Sequence, residues 1–177
     1  MTHSVQRTGH VAWQIGQIMA SRVERTLRPF QLTLAQNSAL TQAILDPGVS
    51  SATAARRTAI TPQSMGTAVN GLVERGLLER RTAPGDRRTH RLHATEAGLR
   101  LSAEASSVVD ATHAEALEVL TPLEQEQVHS LLVKLLASLN PASMDGDSAP
   151  RGAGADLRSR PRRTTARAAV PVPDAVT

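Results

Sequence analysis

TPQSMGTAVNGLVERG, residues 61–76, is the stretch on which the fold of this 177-residue chain turns. Thr61 suits a helix N-cap, because its hydroxyl can accept from the free N–H groups of a first turn. Pro62 follows at the first helical position, where a missing N–H costs nothing. Met65, Val69, Leu72 and Val73 recur at steps of three and four and so share one face of a helix. Gly76 stops that helix, and Leu77 is placed to fold back on its last turn. Just upstream, SSATAARRTAI (50–60) reads as a shorter helix behind Ser50 or Ser51. The connection at Ala59 and Ile60 leaves room only for two helices packed at an angle, a helix-turn-helix. Downstream, LLERRTAPGDRRTHRLHAT (77–95) holds two strand-like runs around a Pro-Gly-Asp turn with arginines at its tip. A helix pair followed by a basic hairpin is a winged helix-turn-helix.

The flanks are helical. A first helix is expected from about His10 to Leu27, striped by Val11, Ile15, Ile18, Met19, Val23 and Leu27 and ended before Pro29. Residues 1–9 are expected to be loose. Thr33 with Gln36 forms a capping box for a second helix, and Asp46-Pro47-Gly48 is a turn. Thr95 caps a long helix running to about Leu120. Thr121-Pro122-Leu123-Glu124 opens a last helix to Leu139, faced by Val128, Leu131, Leu132, Leu135, Leu136 and Leu139. That face is more apolar than a chain of this size can cover alone. It calls for a partner, most simply a second copy on a two-fold axis. The fold class is thus mainly α with a small β wing, the winged domain flanked by dimerisation helices from both chain ends. Residues 1–140 form that unit, with its winged part, the candidate DNA-binding part, at about 32–98. Residues 141–177, rich in proline, arginine and alanine, read as a disordered tail.

Charge is concentrated where the wing is. Eight arginines between Arg56 and Arg91 face Glu74, Glu79 and Asp86, a net +5, while the rest of residues 1–140 is net acidic. A basic segment on an acidic scaffold is the footprint of a polyanion binder; a merely solvated charged hairpin is the plainer alternative. With no cysteine, disulfides and thiolate metal sites are excluded. No apolar run approaches the ~20 residues of a membrane span, and the N-terminus lacks a signal-peptide layout, so a cytoplasmic protein without membrane contact is expected. Trp13 and Phe30 are the only aromatic residues, which argues against modules that stack bases on exposed rings.

In order and spacing, residues 10–139 resemble the MarR family of bacterial transcriptional regulators. The resemblance rests on Leu32-Thr33, Ala55-Arg56, Thr61-Pro62-Gln63-Ser64-Met65 with Leu72, Glu74-Arg75-Gly76-Leu77-Leu78, Gly85-Asp86-Arg87-Arg88 and Thr95-Glu96-Ala97-Gly98. It implies a triangular homodimer whose two winged domains enter a palindromic operator in double-stranded DNA. It also implies repression of a nearby gene, relieved by a small, often phenolic or aromatic, effector bound between the dimer region and the winged domain. Trp13, on the first helix, is then the nearest candidate ligand-binding residue, against a plainer role in the core.

On this reading the first turn of the recognition helix enters the major groove. Gln63 can pair with an adenine edge; Thr61, Ser64 and Thr67 can reach a base edge or a phosphate, unless Ser64 serves only the cap. Arg87 and Arg88 suit phosphate or the narrow minor groove, and Arg56 and Arg57 the backbone beside it. Arg80, Arg81 and Arg91 lie on the strands, where pairing with Glu74 or Glu79 competes with DNA. Asn70 is expected to face solvent. No catalytic residue, metal site or cofactor is expected. His90 and His93 are three apart on a strand and point to opposite sides, and His113 and Glu115 diverge on a helix. The rival reading is a winged-helix protein-interaction module without sequence-specific DNA binding. A docking wing of that kind shows large apolar residues, and TAPGDRRTH (82–90) has none.

Overall fold

The computed structural model describes the backbone of residues 2–83 and 86–145 and the side chains of 7–82 and 90–145. Among these are α1 (Thr2–Leu27), α2 (Leu34–Leu45), α3 (Ser51–Arg57), α4 (Pro62–Glu74), β1 (Leu78–Ala83), β2 (Asp86–Ala94), α5 (Glu96–Leu117) and α6 (Pro122–Leu139). Short 3₁₀ helices occupy Arg28–Phe30 and Pro141–Met144.

The N-caps follow the sequence closely. Thr33, Ser50, Thr61, Thr95 and Thr121 each accept from the backbone N–H three residues on, and Thr33/Gln36 and Thr121/Glu124 close full capping boxes. Both helices of the helix-turn-helix end the same way. After α4, Gly76 turns left-handed (φ 68°), its N–H donating to Val73 O and that of Leu77 to Leu72 O, both at 2.9 Å. After α3, Ala59 takes the same conformation (φ 54°), and the Ile60 N–H reaches Ala55 O at 3.1 Å. An alanine there carries the steric cost glycine avoids.

Val23, Leu27, Leu40, Met65, Val69, Leu72, Leu78 and Leu92 are buried in one core that joins the end of α1 to the winged domain. β1 and β2 pair antiparallel from Leu78↔Ala94 to Thr82↔His90, and Val49 adds a bridge to Leu92 that the sequence did not disclose. A register irregularity follows, Ala83 pairing with Asp86. Arg87 and Arg88 therefore belong to β2, beside the turn rather than on its tip as expected. The extra residues of β2 are taken up where the ladder breaks.

Three boundaries differ from expectation. α1 begins at Thr2, not near His10, since no proline interrupts residues 2–27 and isolated glycines such as Gly9 do not break a helix. α5 stops at Leu117; the Gln125 amide donates to Leu117 O and Leu120 O and so satisfies carbonyls at the helix end. The tail was expected to be disordered from Pro141. Instead, Pro141–Met144 packs on α3, Ser143 is buried, and Asn140 Nδ2 donates to Arg56 O (3.0 Å) and Arg57 O (3.2 Å). Residues 146–177, the remainder of that expectation, lie outside the described structure.

Candidate nucleic-acid interface

α4 is positioned by its buried face. Met65, Ala68, Val69 and Leu72 fix it against the core, which leaves Gln63, Ser64, Thr67 and Asn70 exposed along the opposite side. Thr61 Oγ1 accepts from Ser64 N (3.2 Å) and donates to Ser64 Oγ (2.9 Å). Ser64 thus serves the cap and still keeps its own hydroxyl proton to donate outward. Thr67 Oγ1 donates to Gln63 O (3.1 Å), leaving its lone pairs outward. No hydrogen bond among the described residues holds the Gln63 amide, so both its donor and its acceptor face solvent. A cleft lined by Thr33, Ala35, Gln36, Gln63, Ser64, Thr67 and Ala68 brings the N-terminal turn of α2 beside that of α4. Thr33 and Gln36 were legible as a capping box, but nothing in the linear spacing placed them beside the exposed face of α4.

The arginines divide into two groups. Arg56 is exposed at the end of α3, and among the described residues its side chain donates to a neutral group, Thr53 Oγ1, at 3.1 Å. Arg57 was expected on the DNA backbone, yet its side chain is 9% exposed and forms a 2.7 Å ion pair with Asp46. One helix step separates the two residues by about 100°, enough to turn one outward and the other into the seam with the α2–α3 turn. Arg75 donates to Gln31 O (2.6 Å) and Phe30 O (3.1 Å) and so ties the end of α4 to the α1–α2 junction. Arg81 pairs with Glu79, Arg80 donates to Asn70 Oδ1, and Arg91 donates to Gly48 O. Asn70 is exposed, as expected, and its amide oxygen also accepts from Arg80. Much of the charge counted in the sequence is spent within the fold. Arg87 and Arg88 have described backbone only; their side chains lie outside the described residues.

Trp13 does not join the core. It is 61% exposed on α1, stacked on His10 with ring centroids 5.8 Å apart. A separate cleft of about 450 Å³ lies between α1 and α5, lined by Arg22, Arg25, Thr26, Thr112 and Glu115. Thr26 and Thr112 share a 3.0 Å hydroxyl contact at its base. Trp13 is absent from that lining; nine residues of helix, about 13 Å, separate it from Arg22. The cleft residues went unread in the sequence, where the sole signal was a pair of threonines facing apolar stripes. Among the described residues no group of His, Asp or Glu could hold a metal ion, and no helix is long and apolar enough to cross a membrane.

The MarR family's sequence model matches residues 30–89. The HTH-type transcriptional repressor Rv2887 of Mycobacterium tuberculosis is 32% identical over 127 residues, 72% of this chain and 91% of that protein. Its solved complex with DNA superposes with a TM-score of 0.61 at 31% identity, covering 72% of this chain and 95% of that one. It has also been solved with salicylic acid. CouR from Rhodococcus jostii RHA1, bound to p-coumaroyl-CoA, gives 0.67 at 29% identity over 76% and 92% of the two chains. A MarR family regulator from Rhodococcus sp. RHA1 gives 0.69 at 28% identity over 77% and 95%. The chain belongs to the MarR family of transcriptional regulators.

Proposed function

We propose that the chain acts as a homodimeric repressor that reads a palindromic operator with α4 and releases it when a small anionic aromatic compound binds. The observation that carries the DNA reading is the outward row of Gln63, Ser64 and Thr67 on a helix clamped from behind by the core. Side chains held this way reach base edges at little entropic cost. Arg56, with Arg87 and Arg88 of the wing, supplies phosphate contacts; Thr61 sets the helix start.

The rival role, protein docking by the winged domain, is disfavoured by where apolar surface lies. The exposed large hydrophobics among the described residues fall on α1, α5, α6 and the α5–α6 turn, not between Leu32 and Gly98. On α6 no residue is buried within one chain. Leu131, Leu132, Leu135 and Leu139 are at least half exposed, as are Val11, Ile15 and Ile18 of α1. A second copy covering these faces accounts for them and sets two recognition helices on a two-fold axis.

For the effector, the cleft between α1 and α5 offers Arg22 and Arg25 to a carboxylate and lies where α1 meets the winged domain. Arg22 and Arg25 replace Trp13 as the residues expected to hold it. The relative solved with salicylic acid fits that chemistry, and p-coumaroyl-CoA, bound to another relative, is aromatic and anionic through its phosphates. The test is fluorescence anisotropy on a duplex from upstream of the chain's own gene. Tight binding, lost on a scrambled duplex and weakened by salicylate, is the expected result; equal binding to both duplexes would refute operator reading.

A further inference from the structure

α6 is fastened to its own chain at both ends. At its start the Gln125 amide donates to Leu117 O (3.0 Å) and Leu120 O (3.1 Å), which ties it to the end of α5. At its finish Asn140 Nδ2 donates to Arg56 O (3.0 Å) and Arg57 O (3.2 Å), the last carbonyls of α3. Between these points no residue of α6 is buried within one chain. The helix lengths allow this span. α5 carries the chain about 33 Å away from the wing over 22 residues, and the 18 residues of α6 bring it back about 27 Å.

The attachment to α3 is built around one residue. Asn140 N donates to Leu136 O (2.8 Å) and closes α6. The Asn140 carbonyl accepts from Ser143 N (3.0 Å) and from Ser143 Oγ (2.7 Å), and Ser143 is buried where Pro141–Met144 packs on α3. An amide nitrogen carries two hydrogens, enough for both α3 carbonyls. α3 has seven residues, and the carbonyls of its last turn need partners from outside the helix. It packs on α2, α4 and β2 within the winged domain, and on the 3₁₀ turn from outside it. One tight turn separates it from Thr61 and the recognition helix, and Arg56, assigned above to phosphate, stands on the fastened end.

We infer that Asn140 and Ser143 are positioning residues for operator binding. They latch the end of α6 onto α3. Because α6 presents its leucines to the second copy, the latch fixes the separation and tilt at which the two recognition helices are held. The inference rests on the proposed homodimer and its operator reading. Opening the latch leaves α3 and α4 folded, since Ala54, Ala55, Met65, Val69 and Leu72 are buried in the core of the winged domain. What it changes is the freedom of that helix pair relative to the pair in the second copy.

One base pair added to or removed from the centre of a palindrome moves one half-site by about 3.4 Å and turns it by about 35°. A latched dimer follows that change poorly; an unlatched one tilts to meet it. The full chain, its Asn140→Ala variant and its Ser143→Ala variant are measured by fluorescence anisotropy on the operator, on duplexes with one central base pair inserted or deleted, on a single half-site and on a scrambled duplex. Asn140→Ala is expected to shrink the affinity penalty of the shifted duplexes at least about fivefold, the worth of one net hydrogen bond, with half-site affinity unchanged. Ser143→Ala, which removes the hydroxyl bond within the turn, is expected to act in the same direction. A penalty that stays at the wild-type value in whichever variant folds overturns the latch and leaves operator reading intact. Half-site and operator affinities that fall by the same factor also overturn it, in favour of a turn that only stabilises α3. Loss of folding in both variants overturns it as well, because these residues then hold the core and not a joint. Wild-type binding that does not distinguish operator from scrambled duplex overturns the parent reading and this one with it.

Discussion

Replacing Gly98 by alanine probes the joint between the wing and the helix that leads to the dimer region. A Cβ at position 98 would lie 2.1 Å from Leu77 O, 3.1 Å from Leu77 C and 3.2 Å from Leu40 Cδ1. Carbon–oxygen contacts settle at about 3.3 Å or beyond, so the α5 start and the Leu77 backbone must part by roughly 1 Å. The same carbonyl accepts from Thr95 N at 3.1 Å, and Thr95 Oγ1 donates to Gly76 O at 2.7 Å. Weakening those two bonds costs about 0.5–1.5 kcal/mol each, and overpacking against buried Leu40 and Leu77 about 1–3 kcal/mol. Alanine's better helix propensity returns roughly 1 kcal/mol. The net loss is about 3 kcal/mol, or roughly 6–12 °C in melting temperature for a chain of this size. Gly66 is the control. It sits inside α4, and a Cβ there meets nothing within 4 Å, so Gly66→Ala should gain up to about 1 kcal/mol. Urea unfolding followed by circular dichroism, at one fixed protein concentration, measures both. A Gly98→Ala midpoint equal to wild type would refute the close-approach argument. So would a Gly66→Ala loss as large as that of Gly98→Ala.

The other expected outcomes separate the roles of neighbouring residues. Arg57→Ala should cost about 1.5–3 kcal/mol of stability through the lost charged hydrogen bond to Asp46, whereas Arg56→Ala should spare unfolding and weaken DNA binding; the reverse pattern in the same denaturant and anisotropy series would refute the division. Gln63→Ala should cost roughly 1–3 kcal/mol of operator discrimination with an unchanged salt slope, while Arg88→Ala should lower affinity for every duplex and flatten the slope by about 0.9 per lost phosphate contact, about 1.8 per dimer. Leu132 and Leu136 are 55% and 38% exposed in one chain, so changing both to aspartate should give monomers in sedimentation, a result contradicted if the variant stays dimeric. Glu124 is held below the usual carboxylate pKa of 4.5 by the Thr121 backbone N–H, then by the Thr121 hydroxyl. A pKa lowered on folding means stability present above pH 4.5 and lost as pH falls through the lowered value. Helix content of wild type should therefore fall more on acidification below pH 4.5 than that of Glu124→Gln.

Local chemistry made the winged fold readable in the sequence. A Thr-Pro start, a 3–4 apolar step and a Gly-Leu stop act within one or two helical turns, so their order in the chain is their order in space. Capping at Thr33, Thr61, Thr95 and Thr121 needed no tertiary information, and neither did the uncovered leucines of α6. Packing alone decided how the arginines are used. Arg56 and Arg57 are equivalent in the sequence, but the rotation between them and the position of Asp46 on another turn make one an exposed cation and the other a largely covered, ion-paired strut. Gly98 looks dispensable until the Leu77 carbonyl arrives from another element. Pro141–Met144 reads as the start of a polar tail until α3 presents two carbonyls to Asn140. The cleft between α1 and α5 is built from residues some ninety positions apart. No local pattern records such a pairing, because it exists only once the core has brought the two helices together.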